Sequence, residues 1–132
     1  MTNAFQLIAL MMLVGCSTIV IEDHQGGLSQ SVSRKVSPLT PPVEIRGACL
    51  SSCTLYLSAP RVCVTPDANL GFHAPISLFT MTVTTSGIES FAIGLPKNMR
   101  DDYRNLWGQS LDFTYLSGQE LHDRYGIRLC DT

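Results

Sequence analysis

The sequence predicts an α/β domain in which a mostly parallel sheet is flanked by short helices and stapled by disulfides. Three observations carry that expectation. Short β-branched runs alternate with short helical patterns, the order expected when strands are joined by helical crossovers. Hydrophobic residues make up 45% of the 132 and charged residues only 15%, which is material for one folded core and unlike a disordered chain. Four of the five cysteines lie between residues 49 and 130, where they can cross-link a small core.

The chain opens with "AFQLIALMMLVG", residues 4 to 15, apolar but for Gln6. Such a run is too short to span a bilayer and has the length of a signal-peptide core. An ordinary buried helix is the other reading. "LVGC", Leu13 to Cys16, has the form of a bacterial lipobox, in which the cysteine sulfur receives the lipid, although "MTNAFQ" lacks the usual basic residue. Residues 1–15 are therefore expected to be a lipoprotein signal peptide, Cys16 the lipidation site, and 16–132 a single domain. An acyl chain would anchor this domain to a membrane rather than thread it through one. With Ser17 after the cysteine, the expected location is the periplasmic side of a bacterial envelope, as an outer-membrane lipoprotein. The net charge of −2 provides no basic field, so nucleic acid is excluded as a partner.

Removing Cys16 leaves Cys49, Cys53, Cys63 and Cys130, an even number in an oxidising compartment, with three possible pairings. There is no Cys-x-x-Cys pair and the histidines are not at ligand spacing, so neither a metal site nor a cofactor is expected.

"STIVIED" (17–23) reads as a buried parallel strand and "HQGG" as the turn that ends it. Leu28, Val32 and Val36 recur at steps of four, one face of a short helix that "PLTPP" breaks. "VEIRG" is a second strand, stopped by Gly47, and "SSCTLYLSA" a helix with Ser51 or Ser52 at its N-cap. "RVCVTP" and "ANLGFHAP" are the third and fourth strands, the latter ending on His73. Residues 76–95 fit either a hairpin or an insertion. "PKNMRDDYRNLWGQSL" is a helix with Pro96 in its first turn; Tyr103, Trp107 and Phe113 are assigned to the core. In "SGQELHDRYG", Ser117, Glu120 and Gly126 form a capping box and a C-terminal stop, and "IRLC" is a closing strand. His24, His122, Asp101, Asp102 and Asp123 read as solvated side chains.

Two residues stand where chemistry is done. In "GACLSS" a serine lies between a strand that ends and a helix that begins, facing the free amides of the helix start. His73 lies at a strand end, where open α/β sheets build their sites. A serine hydroxyl becomes nucleophilic when a base takes its proton, and histidine is the common base. The pair alone is also what a capping serine and a structural histidine would leave in a sequence.

"IEDHQGG", "VEIRGACLSSCTLYL", "CVTPDANLGFHAP" and "YLSGQELHDRYGI" occur in the order and at about the spacing of the Clp protease proteolytic subunit and its crotonase-like relatives. The chain resembles that family, and within it a branch of secreted, cysteine-containing Clp-like periplasmic proteins. The resemblance spans most of 19–75 and 113–130. It implies a Clp/crotonase-like fold with Gly26 and Gly27 at the oxyanion hole, Ser51 as nucleophile four residues after Gly47, the Ser52 amide as second oxyanion donor, and His73 as base. It further implies that "RVCV" neighbours "IRLC", which makes Cys63–Cys130 feasible and leaves Cys49 with Cys53. A bridge between the last two, or from each to a strand, would hold the serine rigid.

The stretch between the glycine pair and Gly47 is shorter than in the family, and its abbreviated helix argues against the family's rings. The third catalytic residue, an aspartate, falls nearest Asp112 but several positions off, with Gln109 or Ser110 closer to the matching column. The expected function is an envelope serine hydrolase, a peptidase acting on a peptide or protein through a Ser–His dyad or imperfect triad. The alternative is a non-catalytic envelope lipoprotein that uses the same scaffold to bind a partner. What separates them is whether Ser51 Oγ comes within about 3 Å of His73 and whether a carboxylate reaches the far ring nitrogen.

Overall fold

The computed structural model describes residues 17–131, so the proposed signal peptide and Cys16 lie outside the described residues. The first strand, β1 (Ile19–His24), runs parallel to β2 (Val43–Leu50). Val43, Ile45 and Cys49 of β2 are fully buried, as a central strand between two neighbours requires. Gly47 does not stop this strand. The β1–β2 register jumps from Ile21↔Ile45 to Asp23↔Ala48 beside it, and a Cβ at Gly47 would lie 2.0 Å from the Glu22 carbonyl oxygen. The glycine admits a close crossing of two backbones, and β2 continues three residues further, to Leu50.

The first half of β2 pairs with β3 (Val62–Val64) and the second half with β4 (Asn69–Phe72), both parallel. A fifth strand, β5 (Thr114–Ser117), closes the order β1-β2-β4-β5 and runs antiparallel to β4. It was not expected as a strand, because four residues between a loop and a strong N-cap are too few to show an alternation. Conversely, "IRLC" is not a strand. It makes one parallel bridge, Leu129 to Val64, flanked by hydrogen bonds from Val64 N–H to the Arg128 carbonyl and from Cys130 N–H to the Val64 carbonyl.

The helices are shorter than predicted. Helix α1 is confined to Ser29–Ser33, with Val32 its buried residue. After β2 comes a 3₁₀ helix, Ser51–Ser58, capped by neither serine: its N-cap is Leu50, with no side-chain hydrogen bond. Residues 76–95 resolve into a turn closed by Ser77 N–H on the Thr82 carbonyl, then α2 (Thr85–Ile93), capped by the Thr84 hydroxyl on Gly87 N–H. The stretch from Pro96 breaks into a 3₁₀ turn (Lys97–Met99), α3 (Arg100–Asn105) and a second 3₁₀ turn (Trp107–Gln109). A Cβ at Gly108 would meet the Tyr103 carbonyl oxygen at 2.8 Å, so the break folds the chain back on α3. Helix α4 (Gly118–Tyr125) has the predicted capping box, and Gly126 closes it at φ 70°.

Tyr103 and Trp107 are core residues, but Phe113 is 38% exposed, a correction taken up below. His122 donates from Nδ1 to the Ile127 carbonyl at 2.9 Å, and the Asp102 carboxylate accepts from the Tyr125 hydroxyl, so neither side chain is merely solvated. His24 stands on β1 and is likewise engaged.

Two disulfides are present, Cys49–Cys53 and Cys63–Cys130, with Cα separations of 5.3 and 4.8 Å. The second ties β3 to the C-terminal segment across 67 residues of sequence. In the loop-entropy account such a closure is worth about 4 kcal/mol, against about 2 kcal/mol for the four-residue Cys49–Cys53 loop. The Cys63→Ser/Cys130→Ser double variant is therefore expected to lose about 4 kcal/mol of unfolding free energy in a urea titration, roughly twice the loss from Cys49→Ser/Cys53→Ser.

Candidate active site

The site is assembled at the C-terminal ends of β1, β2 and β4. At the end of β2 the chain turns sharply: Leu50 is extended, while Ser51 has φ 55°, in the left-handed region that non-glycine residues seldom occupy. Such a conformation costs of order 1–3 kcal/mol and persists where its surroundings over-determine it. Here they do. The Ser51 carbonyl accepts the Thr54 hydroxyl at 2.7 Å, and the Cys49–Cys53 bridge spans the turn two residues to either side.

Gly26 braces the turn from the opposite side. Its φ is 93°, and a Cβ there would lie 2.7 Å from Ser51 Cβ and 2.9 Å from the Leu50 carbonyl oxygen. The Gly26 amide is spent locally, donating to His24 Nδ1 at 3.0 Å. Gly27, at φ 136°, makes no backbone hydrogen bond among the described residues. Ser52 opens the helix with Ser51, where amides have no intrahelical acceptor; its own hydroxyl is buried without a partner. Of the two glycines, then, Gly27 has the amide to give.

His73 follows β4. Its Nε2 lies 2.8 Å from Ser51 Oγ, and both residues are half-buried. The backbone beneath the imidazole is pinned twice: Tyr103 donates its hydroxyl to the His73 carbonyl at 3.0 Å, and Ala74 N–H bonds the Ser110 carbonyl at 2.6 Å. Burial pushes the Tyr103 phenol well up, so it stays a donor. Burial also holds the His73 imidazole below the ordinary histidine value, and a hydrogen bond with the Ala74 backbone partly opposes this. A neutral ring protonated at Nδ1 leaves Nε2 to accept the serine proton.

No carboxylate reaches that ring through a hydrogen bond among the described residues. Asp112 is exposed, and its backbone N–H is held by the Ser110 hydroxyl; the Gln109 side chain is turned to the Arg104 carbonyl. None of the three occupies the third position. What lies on the imidazole is Phe113, its ring centroid 4.6 Å away at 54°. The sequence signal that could have located it is the β4–β5 register, which is invisible without recognising β5.

The segments that follow the site residues wall a groove of about 260 Å³. Ser29 comes after the glycine pair, Leu55 one turn after Ser51, Pro75 and Ile76 after His73, and Phe91 from α2 completes it. No charged side chain among the described residues lines it.

Strand order, the glycine turn after β1, the elbow after β2 and the histidine after β4 together define the Clp-protease-like α/β fold. Among solved structures the chain is similar to two forms of the 1510-N membrane-bound stomatin-specific protease. One is a serine-to-alanine mutant, 16% identical with a TM-score of 0.56, matched over 85% of this chain and 63% of that one. The other is a lysine-to-alanine mutant in complex with a substrate peptide, 18% identical with a TM-score of 0.54, matched over 85% and 59%. The chain thus spans about three fifths of these proteases. No family model and no curated protein matches the sequence.

Gly26→Ala is expected to drive Ser51 off His73 and to lower serine reactivity by about a hundredfold while the far-ultraviolet circular dichroism stays unchanged. Reactivity also requires neutral His73, so its acid limb should have a midpoint below 6.5, read from the pH dependence of serine phosphonylation.

Proposed function

We propose that the chain is an envelope serine peptidase working through a Ser51–His73 dyad. The observation that carries this reading is the 2.8 Å contact between Ser51 Oγ and His73 Nε2 at a left-handed turn. In the reaction, Ser51 Oγ attacks the scissile carbonyl carbon as His73 Nε2 takes its proton. The oxyanion lies on the amides of Gly27 and Ser52. Collapse breaks the C–N bond while His73 returns the proton to the leaving amine. Water, deprotonated by the same imidazole, then releases the acyl group from Ser51.

A peptide substrate is supported by the uncharged groove beside the site and by the likeness to a protease whose structure holds a substrate peptide. Acylation of Cys16 would place the domain on the periplasmic face of the outer membrane, in keeping with its pair of disulfides. The secreted Clp-like branch is the part of the family this combination fits.

One observation favours the binding-lipoprotein reading: among the described residues no carboxylate orients His73. Replacing the carboxylate of a serine triad costs about 10⁴ in turnover, and a dyad without that charge is correspondingly slow. A fluorophosphonate probe distinguishes the two, since it requires an activated serine but not efficient turnover. Wild-type mature, oxidised protein is expected to label, Ser51→Ala not at all, and His73→Ala at least about a hundredfold more slowly. A folded, disulfide-bonded wild type that fails to label supports the binding scaffold instead.

A further inference from the structure

The β4–β5 ladder pairs Gly71 with Tyr115 and Phe72 with Thr114. One step further along an antiparallel pair sets Phe113 opposite His73, where its ring lies 4.6 Å from the imidazole. The neighbouring residues are arranged to keep it there. Phe113 and Tyr115 stack at 5.5 Å and 21°, and both rings lie over Gly71. A Cβ at Gly71 would come 2.9 Å from Phe113 Cδ1 and 3.2 Å from Tyr115 Cε1, so the bare glycine is what lets the aromatic pair settle on the sheet. Phe113 buries no core of its own, being 38% exposed. Its packing is directed at the histidine.

We propose that Phe113 is a positioning residue for His73: the ring, seated over Gly71, holds the imidazole with Nε2 on Ser51, the task a carboxylate performs in a full triad. The inference rests on the serine-hydrolase reading for its catalytic consequence, though not for its geometry. Packing sets the plane of the ring, and only in that plane does the imidazole stay within reach of the Ala74 backbone, so the tautomer depends on the packing as well. A base built this way stays neutral at lower pH than one paired with a carboxylate, because the cover is apolar and uncharged. The titratable groups near it do not oppose this. Tyr103 donates to the His73 carbonyl, Tyr115 stands behind Phe113, Asp112 points to solvent, and His24 is engaged with the Gly26 amide.

The test uses the mature, oxidised chain with isotope-labelled histidine, followed by NMR across pH, beside fluorophosphonate labelling rates. Wild-type His73 is expected as the single Nδ1-protonated tautomer with a midpoint below 6.5. Phe113→Ala should give a tautomer mixture, move the midpoint up towards the ordinary value and slow labelling at least about tenfold. Phe113→Leu should restore both readouts, and Phe113→Asp should lift the midpoint above the ordinary value. An Ala variant with unchanged tautomer, midpoint and labelling rate would overturn the proposal. If wild type does not label at all while the NMR changes follow as stated, the hydrolase reading fails and the role of Phe113 stands.

Discussion

Everything at this site depends on one backbone angle. Ser51 sits at φ 55° between the last residue of a central strand and the first turn of a 3₁₀ helix, and only there does its hydroxyl face both a histidine from the next strand and free amides. A relaxed right-handed Ser51 would let the chain enter an ordinary helix with the serine as its first residue and Leu50 still as its cap. The elbow is kept by constraints of different kinds: a hydrogen bond from Thr54, a disulfide across it and a glycine beneath it. The short Cys49–Cys53 loop adds only about half as much through chain entropy as the Cys63–Cys130 closure. Its place, symmetric about Ser51 with both sulfurs buried, shows that it acts on local geometry.

The rest of the fold supplies that elbow with partners through register. The bulge at Gly47 advances β2 by one residue relative to β1, which brings His24 opposite Cys49 and carries the glycine turn over Ser51. Pairing of Leu50 with Gly71 sets the end of β4 level with the elbow, and His73 leaves the sheet two residues later. The antiparallel β5 then brings Phe113 to the imidazole. The Ser51–His73 and His73–Phe113 contacts follow from strand alignment, and Gly47 accompanies the shift in the β1–β2 register. A sheet slipped by one residue would turn these side chains to its other face.

Much of this was legible in the residues, and the exceptions share a cause. The strands β1, β2 and β3 were readable because buried strands are rich in β-branched residues, and α4 because its capping box and C-terminal glycine are local signals. Ser51 and His73 could be singled out because strand ends adjoining glycine or helix starts are recognisable in one dimension. What escaped was tertiary. Gly47 looked like a stop because a close backbone crossing depends on a neighbour, Glu22, that the local sequence does not name. The helix from Pro96 ends at Asn105, and the chain then folds back so that Gly108 lies against the Tyr103 carbonyl, a contact that periodicity does not encode. Phe113 was assigned to the core by spacing from Tyr103 and Trp107, yet the helix ends before it and the residue belongs to the approach to β5.

A histidine oriented by an aromatic ring rather than a carboxylate changes the electrostatics of the reaction. In the proposed reaction the imidazole becomes a cation as it takes the Ser51 proton, and in a full triad an adjacent negative charge stabilises that cation. Here that cation would form under a ring and against a backbone carbonyl, with burial as the larger influence on His73 and working against charge. An aromatic face returns part of the loss through cation–π attraction, of order 0.5–1 kcal/mol at exposed sites and up to about 2 when desolvated. That is well short of a buried carboxylate, so the dyad keeps a ready base at the expense of a less stable imidazolium. In the proposed reaction both acylation and deacylation pass through that imidazolium, since His73 takes a proton first from Ser51 and then from water, so the missing carboxylate slows both steps alike.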